Sequence, residues 1–354
     1  MSLADRLKAQ IRLSGPMTVA QYMTACLHDP QEGYYATRPR LGAEGDFITA
    51  PLVSQMFGEL IGLWAGETWT RMGRPARLVL AEVGPGDGTL ICDALKALRL
   101  LPDMLAAAEL WLVEPSAPLR ARQAEALAGA APAPRWSDSL TGLPDDVPLI
   151  LIANEVLDCL PVRQFVRVEQ GWAERLVGLD EADELSFGLA PRPLDRVLPE
   201  ASLGAMVEVS AAQESFAAQV GRRVAGQGGA ALVIDYGRAE PGFGDTLQAL
   251  KGHEKLGPLS TPGEADLTVH ADFPAVLSAA RAEGAEARML SQRDFLLRLG
   301  IAERASALAQ AHPDQADRTF RQLERLIGED QMGELFKAAC LFAPGLQPPA
   351  FEPA

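Results

Sequence analysis

Glu82-Val83-Gly84-Pro85-Gly86-Asp87-Gly88 is the stretch that decides the fold. It closes a short β-prone run over residues 77–83, and a helical pattern over 90–100 follows at once. Glycines at alternate positions of a strand-to-helix turn let backbone approach a ligand where side chains would obstruct it. Moving outward, residues 110–113 form another short apolar run ending in Glu114-Pro115, with a helical stretch through Leu127. Residues 147–153 carry Leu149, Ile150, Leu151 and Ile152, and 230–234 make a further run ending in Asp235-Tyr236-Gly237. Apolar runs separated by helical stretches mark a parallel sheet buried on both faces. The expected fold is α/β, with a doubly wound, mostly parallel sheet.

The flanks differ. Residues 1–75 are helical and loop-rich. Thr18 with Gln21 forms a capping box that opens a helix through Leu27, and Asp29-Pro30 stops it. Val53, Met56, Phe57, Leu60, Ile61 and Trp64 recur at helical spacing. Residues 164–168, 174–179 and 185–189 read as short strands divided by Gln170-Gly171, a β-meander inserted into the sheet topology. Residues 287–290 and 336–342 suit a final antiparallel pair at the sheet edge, with helical 295–327 between them, and the proline-rich tail after Pro344 is expected to be loose. The expected division is a helical N-terminal cap over 1–75, a core from 76–161 and 229–345, and an inserted substrate-side segment over 162–228.

Composition narrows the classes. A formal charge of −15 over 354 residues repels nucleic acid and anionic membrane surfaces alike. Cys26, Cys92, Cys159 and Cys340 lie far apart with no C-x-x-C pair, and His28, His253, His270 and His312 lack metal-ligand spacing. Neither a disulfide framework nor a metal site is expected. No run of 18 apolar residues occurs, and no basic region precedes an apolar stretch at the start, so the expectation is a cytoplasmic protein.

A dinucleotide fingerprint, G-x-G-x-x-G, needs glycine at position 89, where Thr89 stands. A dehydrogenase is therefore the least favoured reading. The observed G-x-G-x-G, with Glu82 two residues ahead, resembles motif I of class I methyltransferases. S-adenosylmethionine carries no phosphate, so an acid beside the loop is useful rather than repulsive. On this reading Glu82 attracts the cofactor's ammonium while backbone N–H groups of the loop that holds Gly84, Pro85, Gly86 and Gly88 meet its carboxylate. Glu114 accepts the ribose hydroxyls, and Asp138, before Ser139, meets the adenine amino group. The plainer alternative is a tight turn with ordinary strand-end acids.

Asn154-Glu155-Val156-Leu157-Asp158 follows the most apolar run, where open α/β sheets bind ligands. Glu155 and Asp158, three apart, are expected to share one face of a helical turn and hold a guanidinium between them. Against this stands a capping role, or pairing with a structural arginine such as Arg163. Thr49, Ser54 and Gln55 suit either closure over a ligand or a loop staple. His253, His270, Tyr34, Tyr35 and Tyr236 read first as structural side chains.

Longer motifs resemble the MidA-like family of class I methyltransferases. They are Gly45-Asp46-Phe47-Ile48-Thr49-Ala50-Pro51 with Ser54–Glu59, Ala153–Phe165 around Asn154-Glu155, Ile234-Asp235-Tyr236-Gly237, Gly244-Asp245-Thr246-Leu247-Gln248 and Asp266-Leu267-Thr268-Val269-His270. That family includes the mitochondrial methyltransferase that acts as an assembly factor for respiratory complex I. The resemblance implies methylation of a protein arginine, with S-adenosylmethionine at Glu82, Gly84, Gly86, Gly88 and Glu114, and with Asn154 and Glu155 near the transferring methyl. It implies a protein substrate such as a subunit of NADH dehydrogenase, and with no transit peptide visible the expected setting is a bacterial cytoplasm. Asp87 stands where the family pattern has arginine, and Cys159 where it has alanine. Small-molecule methylation and a cofactor-binding assembly chaperone remain alternatives, and the oligomeric state is open, a homodimer among the options.

Overall fold

The computed structural model describes residues 1–37, 49–190 and 197–352. The resemblance at Gly45, Asp46, Phe47 and Ile48 lies outside the described residues. The described chain forms two compact units, one of residues 1–37, 157–190, 197–213 and 240–272, the other of 49–156, 214–239 and 273–352.

The second unit holds the parallel sheet. Its strands are β1 (Leu78–Val83), β2 (Ala108–Val113), β3 (Arg135–Ser137), β4 (Leu149–Asn154), β5 (Gly229–Arg238), β6 (Glu286–Ser291) and β7 (Phe336–Phe342). They lie in the order β3-β2-β1-β4-β5-β7-β6. β1 through β5 run parallel, and β7 is antiparallel to both of its neighbours, β5 and β6. Every residue of β1 and β4 is buried, which is why their sequences read as unbroken apolar runs instead of alternating ones. Strand order reverses between β1 and β4, with Val83 opposite Ala153, and the carboxyl ends of strands at such a switch point are where open α/β sheets bind ligands.

Helix α1 (Gln55–Arg71) is capped by Ser54, whose hydroxyl accepts from the Met56 amide at 3.3 Å. Its Gly58, Gly62 and Gly66 form a stripe four residues apart against α2 (Thr89–Leu98) and the turn after it. A Cβ at these positions would fall 2.6 Å from Asp93 Cβ, 2.4 Å from the Ala94 carbonyl oxygen and 2.4 Å from Leu101 Cδ1. The missing side chains let two helices pack at backbone distance. For this reason α1 belongs with the sheet, and not with the N-terminal cap drawn over residues 1–75.

The proline-rich tail also departs from expectation, because it is packed. Phe351 is 2% exposed, its ring centroid is 5.5 Å from that of Phe295, and Arg298 donates to the Ala350 carbonyl at 2.8 Å. One buried aromatic beyond the prolines outweighs the loop-forming character of its neighbours.

The first unit opens with two capped helices. Leu3–Ser14 carries a capping box at Ser2 and Asp5, and Val19–His28 the expected one at Thr18 and Gln21. The meander is present as Arg163–Val168, Gly171–Leu179 and Leu185–Ala190, paired antiparallel in sequence. A second small sheet, Gln248–Lys251, Glu254–Leu256 and Asp266–Thr268, lies in the segment that the sequence division gave to the core. Buried Leu3, Leu7, Tyr22, Met23, Val177 and Leu267 share one apolar cluster, which unites these distant stretches of chain.

Candidate functional site

At the end of β1 the backbone turns sharply. Gly84, Gly86 and Gly88 have φ of 61°, 56° and 86°, left-handed values that L side chains adopt only with strain. The Gly84 amide donates to the Val113 carbonyl at 3.0 Å, and the Gly88 amide to Pro85 at 2.8 Å, so the turn is tied to β2 and to itself. Asp87 has a local role: its carboxylate accepts from the Thr89 amide at 3.0 Å and satisfies an open donor at the start of α2. An acid there is also favoured by the helix dipole.

Glu82 is 2% exposed. Burial pushes its carboxyl up to about 8, the charge of Asp87 adds to the rise, and the Ile91 amide opposes it. Its Oε2 is buried without a hydrogen-bond partner. On the neighbouring strand β4, Asn154 donates through Nδ2 to Glu155 Oε1 at 3.0 Å, while its own Oδ1 is buried and unpartnered. Two orphaned acceptors at adjacent strand ends suit a ligand that brings donors. An ammonium brings three.

Glu155 has a φ of 53°, an uncommon conformation for a residue with a side chain. Its amide donates to the Ile234 carbonyl at 2.8 Å, and its Oε1 also accepts from the Ala50 amide at 3.4 Å. The left-handed turn ends β4, and no helix forms over residues 155–158. The expected helical turn carrying Glu155 and Asp158 on one face is therefore not formed.

Glu114 ends β2 and is 5% exposed. Its Oε1 accepts from the Ser116 amide at 2.8 Å and its Oε2 from Gln123 Nε2 at 3.4 Å, yet burial still raises its carboxyl above the ordinary value. Asp138, after β3, is exposed and paired with Arg120. That pairing takes one oxygen of the carboxylate, Oδ1.

These strand-end acids, orphaned acceptors and open glycine turn fit the amino acid and ribose groups of S-adenosylmethionine. Comparison with known proteins agrees. Residues 60–291 match a family described as "Putative S-adenosyl-L-methionine-dependent methyltransferase". The chain belongs to this methyltransferase family. It is 35% identical to the zebrafish (Danio rerio) mitochondrial protein arginine methyltransferase NDUFAF7, an alignment covering 95% of this chain and 86% of that protein. The human (Homo sapiens) NDUFAF7 is 34% identical, over 93% of this chain and 81% of its own length. A Burkholderia thailandensis structure bound to S-adenosyl-homocysteine superposes with a TM-score of 0.85 at 30% identity, covering 99% of this chain and 93% of that one. This methyltransferase uses S-adenosylmethionine.

One residue of the methyltransferase escaped the sequence reading. Gln123, on α3 (Ala117–Ala126), is fully buried and donates to the Gly86 carbonyl at 2.8 Å as well as to Glu114. Its Oε1 accepts from Trp136 Nε1 at 2.9 Å. A glutamine in a polar helix gives no signal by itself. Its place on α3, nine residues after Glu114, was the available clue.

Other expected residues lie in the first unit. Asp158 is buried and its carbonyl accepts from the Val269 amide at 2.9 Å. Arg163 makes a fork with Glu174 at 2.7 and 2.9 Å. Tyr35 donates to Asp266 at 3.0 Å. The Gly244–Gln248 motif is structural: Thr246 donates through its amide to Glu208 at 2.9 Å, and its hydroxyl accepts from the His270 amide at 2.9 Å. Among the described residues no group of three His, Cys, Asp or Glu side chains is placed to hold a metal, and no helix is long and apolar enough to cross a membrane.

Proposed function

We propose that this methyltransferase modifies an arginine side chain of a protein. The observation that carries the reading is Glu155, a carboxylate fixed at the end of β4 by Asn154 and the Ala50 amide. Relatives named as protein arginine methyltransferases, aligned over nearly the whole chain, support it.

When bound, S-adenosylmethionine supplies an electrophilic methyl group on a sulfonium. Glu82 and Asn154 are the residues we assign to its ammonium and Glu114 to its ribose. We assign its carboxylate to the turn built by Gly84, Pro85, Gly86 and Gly88, with the amides of Gly86 and Asp87 as donors because those of Gly84 and Gly88 are committed to Val113 and Pro85. A guanidinium keeps its proton at neutral pH, its pKa being above ~12, so the substrate arrives as a cation. Glu155 binds that cation through charge-assisted hydrogen bonds and accepts the proton that the substituted nitrogen gives up. The donors Asn154 and the Ala50 amide both meet its Oε1. By the family resemblance, a subunit of NADH dehydrogenase is the first protein to examine.

The test is incubation of the purified enzyme with labelled cofactor and extract from a strain lacking the gene, followed by identification of the labelled species. Methylarginine in a protein is expected, and Glu155→Gln should remove it while cofactor affinity stays near normal. Label in a small molecule, or full turnover by Glu155→Gln, would overturn the assignment.

A further inference from the structure

We propose that Gln123 is a positioning residue for the cofactor's ribose, and this rests on the reading of Glu114 as the acceptor for the ribose hydroxyls. The buried amide has all of its polar atoms committed: Nε2 to Gly86 and Glu114, Oε1 to the Trp136 indole. Its orientation is self-enforcing. A flipped amide would aim NH₂ at the indole N–H and its oxygen at two other acceptors, so each neighbour rejects that state. The Ser116 amide holds the other oxygen of Glu114. Each carboxylate oxygen thus has one fixed donor and a lone pair left over, an arrangement suited to two vicinal hydroxyls. Through Gly86 the same amide couples Glu114 to the glycine turn, so one side chain sets the spacing between the ribose acceptor and the loop.

Few side chains can replace it. Methionine matches the length but leaves the Gly86 carbonyl and Glu114 without their donor. Glutamate keeps an acceptor for Trp136 but brings a second carboxylate against Glu114.

The experiment measures binding of S-adenosylhomocysteine and its 2′,3′-dideoxyribose counterpart by titration calorimetry, using the full-length chain. In the wild type, loss of the hydroxyls should weaken binding about tenfold to a hundredfold, the range for hydrogen bonds to a charged acceptor. Gln123→Met should shrink that penalty below about fivefold, a change that general loosening of the fold would not produce selectively. A penalty unchanged in Gln123→Met but lost in Glu114→Gln would overturn the role of Gln123 and leave the ribose reading standing. A penalty unchanged in Glu114→Gln would overturn the ribose reading, and this inference with it. Gln123→Glu supplies a second readout should the methionine variant not fold. Its affinity, relative to wild type, should rise several-fold from pH 8 to pH 6 as one of the facing carboxylates takes up a proton, and a flat ratio would count against the proposal.

Discussion

Glu82→Gln should uncouple both cofactor affinity and stability from pH. Moving a carboxyl from its ordinary 4.5 to about 8 spans three and a half decades of proton affinity, which costs the ionised form on the order of 5 kcal/mol. An unfolded chain sheds this proton near 4.5, while the folded chain holds it to about 8. Between those values the native state binds more protons, so unfolding free energy falls as pH rises. The stabilising contribution is complete below 4.5 and is lost as pH climbs through 8. From pH 5 to 7 the cofactor-free wild type should shed on the order of 2–3 kcal/mol that Glu82→Gln retains, a difference measurable by urea denaturation. Binding of an ammonium needs the ionised carboxylate. Affinity should therefore rise about tenfold from pH 6 to 7, with close to one proton released per cofactor bound. Calorimetry in two buffers of different ionisation enthalpy counts that proton. Equal pH slopes in wild type and variant, with no proton released, would refute the reasoning.

Two further outcomes follow from the geometry. Gly86→Ala places a Cβ on a residue at φ 56°, costs about 1–2 kcal/mol in backbone strain, and should weaken cofactor binding more than tenfold in the same calorimetric assay; unchanged affinity would remove the turn from the site. Phe351→Ala should cost about 3–5 kcal/mol by urea denaturation, because it empties a buried aromatic position, and a loss below 1 kcal/mol would mean that the tail contributes nothing to packing.

The parallel sheet was legible because β1, β4 and β5 are buried on both faces and so read as unbroken apolar runs. Residues whose role is local were legible too: Thr18 with Gln21 as a cap, and Gly84, Gly86 and Gly88 as a turn. What was missed depends on partners distant in sequence. Gln123 gains meaning only when Gly86 and Trp136 are brought to it. The tail looked loose because prolines surround Phe351, and nothing local announces a cavity for its ring. Glu155 and Asp158 suggested a helix by spacing alone, yet the Glu155 amide is drawn to Ile234 on β5, and the chain turns left-handed instead. The division into units failed to follow segment borders for a similar reason. The glycine stripe on α1 answers to α2, a contact that hydrophobic periodicity does not register.

The placement of β7 between β5 and β6 sets the order of synthesis against the order of assembly. β5 precedes β7 in the chain by about a hundred residues and β6 by about forty-five, yet both pair with β7 and not with each other. Until Phe336–Phe342 has left the ribosome, Ala230–Ile234 offers an unpaired apolar edge of the kind that recruits other chains. A nascent polypeptide stalled before that point would hold a half-built sheet. Completion of this sheet therefore waits for a strand made about a hundred residues after the edge that it covers.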